Sequence, residues 1–201
     1  MAYDEFSVSA YPTLYYGWAA INSKPQIRWD KNQTRHRITG FLAVDMKDGD
    51  EFLAVGAHGK TEMVVEYFYE LALYSQQQGY RQLTVILDNN ATHKDGMRYN
   101  LWLKLKNNPA LIDFSIRFIS TPTYSPDYNL AEYVIRLLRL KLLHHLPIQS
   151  SLTQVIDKLA QRFAPHMPSL LSPQQISNIV DHILNLAPKS PLLSSSSPNT
   201  N

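Results

Sequence analysis

Three acidic positions fall where the chain could hold a divalent metal: Asp4, Asp88 and Glu132. Asp88 directly follows LTVIL, residues 83–87, a short apolar run of the kind that forms a central strand buried on both faces. Open α/β sheets place their ligands at the carboxyl ends of strands. An acid there, followed by Asn89, Asn90, Ala91, Thr92 and His93, is well placed for a metal, although Asp and Asn are equally ordinary turn residues. Glu132 lies in the first turn of a strong helical pattern entered through Pro126 and Asn129, so its carboxylate stands on a stiff backbone. An acid in that turn also simply suits the helix dipole. Asp4, beside Glu5, would complete the set as part of an acidic pair at the end of a first strand, in a region where chain ends are often exposed. Asp45, at the end of another strand pattern, is a rival first acid.

Carboxylates on separate elements can bracket two cations, and two cations can clamp a phosphodiester undergoing in-line attack: one activates the nucleophile, the other stabilises the leaving oxygen. Magnesium prefers such oxygen ligands and keeps water and substrate phosphate as the rest of its shell. The absence of cysteine excludes disulfides, thiolate zinc sites and cysteine nucleophiles. The 201 residues are 44% hydrophobic and 18% charged, enough for one domain with a real core and unlike a wholly disordered chain. A formal net charge of +2 permits nucleic-acid binding without demanding it. No apolar stretch is long enough to span a bilayer, and the N-terminus lacks the pattern of a signal peptide.

The elements that must position these acids follow from periodicity. Residues 35–45 read as a strand, Lys47-Asp48-Gly49-Asp50 as a turn, and residues 52–57 as the second arm of a hairpin. Thr61 is expected to cap a helix to about Gln78, with Val64, Val65, Phe68, Leu71 and Ala72 on one face and Gly79 ending it. A helix over 97–106, a strand over 114–119, a proline-stiffened loop over 121–126 and a long helix over 129–146, stopped by Pro147, come next. Shorter helical patterns cover 152–163 and 173–186, and the Pro/Ser/Asn-rich tail from Pro188 reads as disordered. Residues 11–25 are aromatic and turn-rich and read as loop. Met1-Ala2-Tyr3 leaves no room for a full strand ahead of Asp4, which reads as a truncated start. The sum is an α/β domain with a mixed sheet.

Residues 124–142, YSPDYNLAEYVIRLLRLKL, resemble the signature of the DDE transposase and integrase superfamily, YSPDxNxxE on a helix followed by basic and apolar residues. LTVILDNNATHK, residues 83–94, is similar to that superfamily's apolar strand ending in DNxxxH. Residues 4–25, DEFSVSAYPTLYYGWAAINSKP, resemble its first motif, Asp-Glu followed by a Tyr-Gly-Trp element and a proline. The branch it looks most like is that of the bacterial insertion sequence 630 transposases, relatives of mariner. The resemblance runs from Asp4 to about Leu146 and departs from the pattern at Leu130, where proline is usual, and around Ile135, where tryptophan is usual. The interval from Asp88 to Glu132 is also wider than usual, which an insertion in residues 97–113 would absorb.

The resemblance implies a ribonuclease H-like fold, a mixed five-stranded sheet flanked by helices with further C-terminal helices. It makes Asp4, Asp88 and Glu132 the catalytic, metal-binding triad for Mg2+ or Mn2+, two ions in all. Asn89, His93 and Asn129 become supporting residues, His93 ordering the Asp88 loop or the scissile phosphate. Residues 1–147 would be the catalytic domain, 148–187 a helical extension and 188–201 a tail. The implied activity is cleavage and strand transfer of insertion-sequence DNA. The implied partners are double-stranded DNA, at element ends and target, and further copies of the chain assembled on it. Relatives carry an N-terminal helix-turn-helix region that is absent here, and a frameshift is one way it could be supplied. The implied location is the bacterial cytoplasm, at the nucleoid.

Two other readings use the same residues: a partial transposase that only binds DNA or a partner subunit, and a ribonuclease H-type nuclease. Lys94, Arg136 and Arg139 are candidate phosphate contacts or a solvated charged face. His144 and His145 point about 100° apart on a helix and make a poor chelating pair. Tyr3, Tyr15, Tyr16, Trp18 and Trp29 either stack on unpaired bases or pack in the core.

Overall fold

The computed structural model describes residues 1–10, 37–122, 125–144, 146–147 and 150–186. The expectations for residues 11–25, including Tyr15, Tyr16 and Trp18, and those for Trp29, His145 and the tail from Pro188 lie outside the described residues.

Five strands form one mixed sheet in the order β3-β2-β1-β4-β5. β1 (Ala2–Ser9) pairs antiparallel with β2 (Arg37–Val44), and β2 pairs antiparallel with β3 (Glu51–Gly56) across the Asp45–Asp50 turn. On its other side β1 runs parallel to β4 (Gln82–Leu87), which runs parallel to β5 (Ser115–Ser120). The helices are α1 (Thr61–Gln77), α2 (Asp95–Lys106), α3 (Leu130–Leu138), α4 (Leu152–Arg162) and α5 (Pro173–Leu186). This is a ribonuclease H-like α/β arrangement.

Strand alternation divides the core in two. Ala2, Phe6 and Val8 of β1 join Leu42 and Val44 of β2 under Leu130, Val134 and Leu138 of α3. Tyr3 joins Phe41, Ala43, Val85 and Leu87 under Val64, Phe68 and Leu71 of α1 and Met97 and Leu101 of α2. Tyr3 is fully buried among Tyr67 and Phe68, which decides between base stacking and core packing for this residue. Phe6 lies opposite Gly40 across the β1–β2 ladder, and a Cβ at Gly40 would stand 2.5 Å from the Phe6 ring, so only glycine admits the ring there.

Four expectations need correction. Asp4 and Glu5 lie inside β1, which starts at Ala2, rather than at a strand's end; β-pairing to residues 37–44 supplies the partners that the short lead-in alone does not suggest. Thr61 is the first residue of α1 and Lys60 is its N-cap, with no side-chain cap. β4 is central, yet its Thr84 and Ile86 are only half-buried, because β4 and β5 are closely covered on one face alone. The helix from Asn129 is not uniform: α-helical geometry ends at Leu138, and residues Arg139–Leu143 form a π-helical turn in which His144 N–H donates to the Arg139 carbonyl at 2.8 Å.

The C-terminal helices pack on the α3 side, where Val155, Leu159, Ile176 and Ile183 enter the same core cluster. Ser151 and Gln154 close a capping box at the start of α4. Among the described residues no helix is long and apolar enough to cross a membrane.

Candidate active site

The β1–β4 ladder places two of the three acids. Ala2 pairs with Ile86, so Asp4 and Asp88, each two residues further on, stand level on neighbouring parallel chains. The third comes from α3. Asn129 caps that helix by accepting from Ala131 N–H at 3.1 Å, and its Nδ2 donates to the Tyr3 carbonyl at 2.9 Å and to Asp4 Oδ2 at 3.3 Å. Glu132, whose N–H donates to the Asn129 carbonyl, is thereby set in the first turn directly over β1.

Burial and neighbouring charge both act on Asp4. Burial, with the Glu132 charge next, raises the Asp4 pKa to about 7; a hydrogen bond with the Glu132 side chain and the Asp88 charge add to this, against the Glu5 N–H, which donates to Asp4 Oδ1 at 2.7 Å. Near neutral pH a proton on Asp4 is therefore far more favourable than on an ordinary aspartate. Two acids this close, in a half-buried place, favour either a proton or a cation between them.

Asp88 is held differently. Its Oδ1 accepts from Asn90 N–H at 3.0 Å and contacts His93 Nδ1 at 2.8 Å. His93 is buried at 4% exposure, and its Nε2 meets Glu5 Oε1 at 3.0 Å. Tyr3 Oη donates to the same Glu5 oxygen at 2.9 Å. Both imidazole nitrogens therefore face carboxylate oxygens. Burial lowers the His93 pKa, but the Glu5 hydrogen bond and the Glu5 and Asp88 charges outweigh it and the net shift is upward. Asn89 Nδ2 donates to the Thr121 carbonyl at 2.9 Å, tying the loop after β4 to the end of β5.

All the donors at Asp4, Asp88 and Glu132 are oxygens, the set that suits a hard divalent cation. Among the described residues, however, no three His, Asp or Glu side chains converge as a metal-binding group.

Lys94 is exposed at the junction between the Ala91–His93 turn and α2; Arg136 is exposed and Arg139 half-buried on and just after α3. The hydrogen bonds and ion pairs that hold the carboxylates come from Asn129, Asn90, His93 and the Glu5 N–H rather than from these three cations. Asp45 sits just before the start of β1, level with Met1 and three residues along the strand from Asp4, where its Oδ1 accepts from Lys47 N–H at 2.7 Å and shapes the hairpin turn. Sequence reasoning named Glu5 only as the neighbour of Asp4 in an acidic pair and gave it no part with His93. The signal was present: neighbouring residues of a strand point to opposite faces, so with Asp4 toward α3, Glu5 had to face the side where the DNxxxH histidine comes to lie.

Residues 1–153 match the family described as DDE superfamily endonuclease. The chain belongs to that family. Solved structures similar to this chain include the Mos1 strand transfer complex, at 13% identity and a TM-score of 0.61, covering 92% of this chain and 51% of that one. They also include the Mos1 mariner paired end complex with Mn, at 14% identity and a TM-score of 0.60, covering 90% and 52%. The mariner Mos1 paired end complex with Mg matches at 15% identity and a TM-score of 0.59, covering 91% and 52%. The chain thus shares a fold with the Mos1 mariner transposases and spans about half the length of those chains. No curated protein sequence matches it.

Proposed function

We propose that this chain is the catalytic domain of a transposase of the insertion sequence 630 branch related to mariner. It would cut double-stranded DNA at the element's ends and join the freed 3′-hydroxyl to target DNA. Asp4, Asp88 and Glu132 would hold two Mg2+ or Mn2+ ions. The observation that carries this reading is that Asp4 and Asp88 stand level across β1 and β4, while Glu132 of α3 lies near enough for its charge to raise the Asp4 pKa. The solved Mos1 structures with Mn and with Mg, on paired ends, support the choice of metal and of DNA.

When bound, the ions would supply an activated oxygen nucleophile and a stabilised leaving oxygen. The chain's own residues do the rest. Asn129 fixes the Asp4 carboxylate relative to α3. Asp4 holds the proton that must leave before a cation enters. His93, anchored by Glu5, orients Asp88, whose Oδ2 remains clear of the contacts that Oδ1 makes. Lys94, Arg136 and Arg139 are assigned to phosphates, and further copies of the chain to the assembly on paired ends.

A second reading, a chain that binds DNA or a partner subunit without cutting, is favoured by the lack of a converged three-ligand group among the described residues. Manganese-dependent nicking of duplex DNA by the purified chain, beside Asp88→Asn and Glu132→Gln, separates the two. Activity in the parent that both variants lose supports the transposase reading. A folded parent with no activity supports the second.

A further inference from the structure

The surface of α2 carries an arrangement that the carboxylate site does not use. Met97, Leu101 and Leu105 face the core, as an amphipathic helix requires. The opposite side should then be polar, but it carries Tyr99 at 61% exposure and Trp102 at 53%, with Leu103 beside them at 37%. The Tyr99 and Trp102 rings lie 6.2 Å apart and 22° from parallel, stacked on each other along the outside of the helix. Exposed aromatic area of this size marks a contact surface.

The charges around it are mainly basic. Exposed Lys94 and Arg98 flank the aromatic pair toward the start of α2 and exposed Lys106 toward its end, against Asp95 on the helix itself and Glu66 of α1, which is paired to Lys104. Arg98 is held in place: its Nε donates to the His93 carbonyl at 3.3 Å and its guanidinium lies over the Phe118 ring. The strip therefore begins at the turn that carries His93 and, through it, Asp88. From Lys94 to Lys106 it extends about 18 Å at the helical rise, a length of several nucleotides.

We propose that this face of α2 is a platform for an unpaired stretch of nucleic acid leaving the carboxylate site, with bases stacking on Tyr99 and Trp102 and phosphates on Lys94 and Arg98. The proposal rests on the reading of that site as one that acts on DNA. Flat aromatics interleaved with basic side chains are what a single strand takes up, since every base offers a face and every linkage a charge. A second copy of this chain is the less favoured occupant, because the basic flanks would repel their own likeness.

The test is fluorescence anisotropy of the full chain, without divalent metal, on a labelled short single strand and on a blunt duplex of the same sequence. Trp102→Ala and Tyr99→Ala are expected to weaken single-strand binding by about ten-fold each and leave duplex binding within two-fold. Lys94→Ala with Arg98→Ala should flatten the salt dependence of single-strand binding. Thermal midpoints equal to the parent's show that these surface variants fold. Equal single-strand affinity in parent and Trp102→Ala overturns the platform, as does a change of oligomeric state in Trp102→Ala with nucleic-acid binding intact. Absence of nicking by the parent, with the Trp102 effect present, removes the catalytic reading and leaves the platform standing.

Discussion

The Asn129 side chain joins two elements that the sequence separates widely: its Nδ2 donates to the Tyr3 carbonyl in β1 at 2.9 Å while its Oδ1 accepts from Ala131 N–H at the start of α3. It is 3% exposed, so neither bond is exchangeable with water. The position of Glu132 relative to Asp4 follows from this one amide. A cap alone is worth about 1 kcal/mol, and a buried carbonyl left without its donor costs about 1–3 kcal/mol more. Asn129→Ala is expected to lower unfolding stability by roughly 2–4 kcal/mol on those terms. Asn129→Ser, which keeps a capping oxygen but cannot reach Tyr3, should lie between the two. Urea denaturation checks the order; a serine variant as stable as the parent would show that the bond to β1 contributes nothing.

The stability of the metal-free chain should fall as pH rises across neutrality. An unfolded aspartate titrates near ~4, whereas Asp4 in the fold titrates at about 7. Between those values the folded chain binds the proton that the unfolded chain has lost, so each step up in pH favours unfolding. His93 acts in the same sense: its raised pKa gives stability that is present below the unfolded histidine value and is lost as pH rises through the folded one. In chelator, the denaturation midpoint is expected to drop from pH 5 to pH 8, and Asp4→Asn should remove the larger part of the drop. Added Mg2+ should restore more stability at pH 8 than at pH 5, because a cation then replaces no proton. Parallel pH profiles for parent and Asp4→Asn would sink the account.

The Glu5–His93–Asp88 chain predicts a loss of activity without a loss of fold. Groups that orient a metal ligand typically contribute 10–100-fold in metal affinity or rate. Glu5→Gln keeps the size and a hydrogen-bonding group but removes the charge that raises the His93 pKa. On the proposed function, its nicking rate at limiting Mn2+ should fall about ten-fold and recover at saturating Mn2+, whereas His93→Ala should not recover fully. Rates at several Mn2+ concentrations measure this. A Glu5→Gln variant with the parent's metal dependence would remove Glu5 from the site.

Much of the fold, and the places of Asp88 and Glu132 in it, are legible in the amino-acid sequence. The LTVIL run marks β4 and puts Asp88 at its end, and the helical pattern after Asn129 marks α3 with Glu132 in its first turn. These depend on local periodicity and capping, which a single segment carries. The features that stay hidden depend on distant partners. The short lead-in before Asp4 becomes a strand only because residues 37–44 pair with it. The π turn at Arg139–Leu143 has no composition signal, since leucine and basic residues suit either helix. The bridge through Glu5 needs the β1 face assignment together with the buried position of His93.

Glu51 supplies the last prediction, one that separates the C-terminal helices from the site. Its side chain is 5% exposed, its Oε1 accepts from Leu170 N–H at 2.7 Å, and Arg162 Nη2 stands 3.6 Å from its Oε2. Burial raises its pKa, while the Leu170 N–H and the Arg162 charge oppose the rise. This residue therefore fastens the segment between α4 and α5 to β3. Glu51→Ala leaves the Leu170 N–H and Arg162 unmatched, a loss of about 1–3 kcal/mol for a buried donor. Because the C-terminal helices share the core with α3, that loss should appear first as local opening. Limited proteolysis is expected to cut residues 163–172 faster in Glu51→Ala, with hydrogen exchange in β1 and β4 unchanged under native conditions. Equal acceleration of exchange in β1 would mean that the segment and the sheet open as one unit, and that Glu51 secures the whole fold.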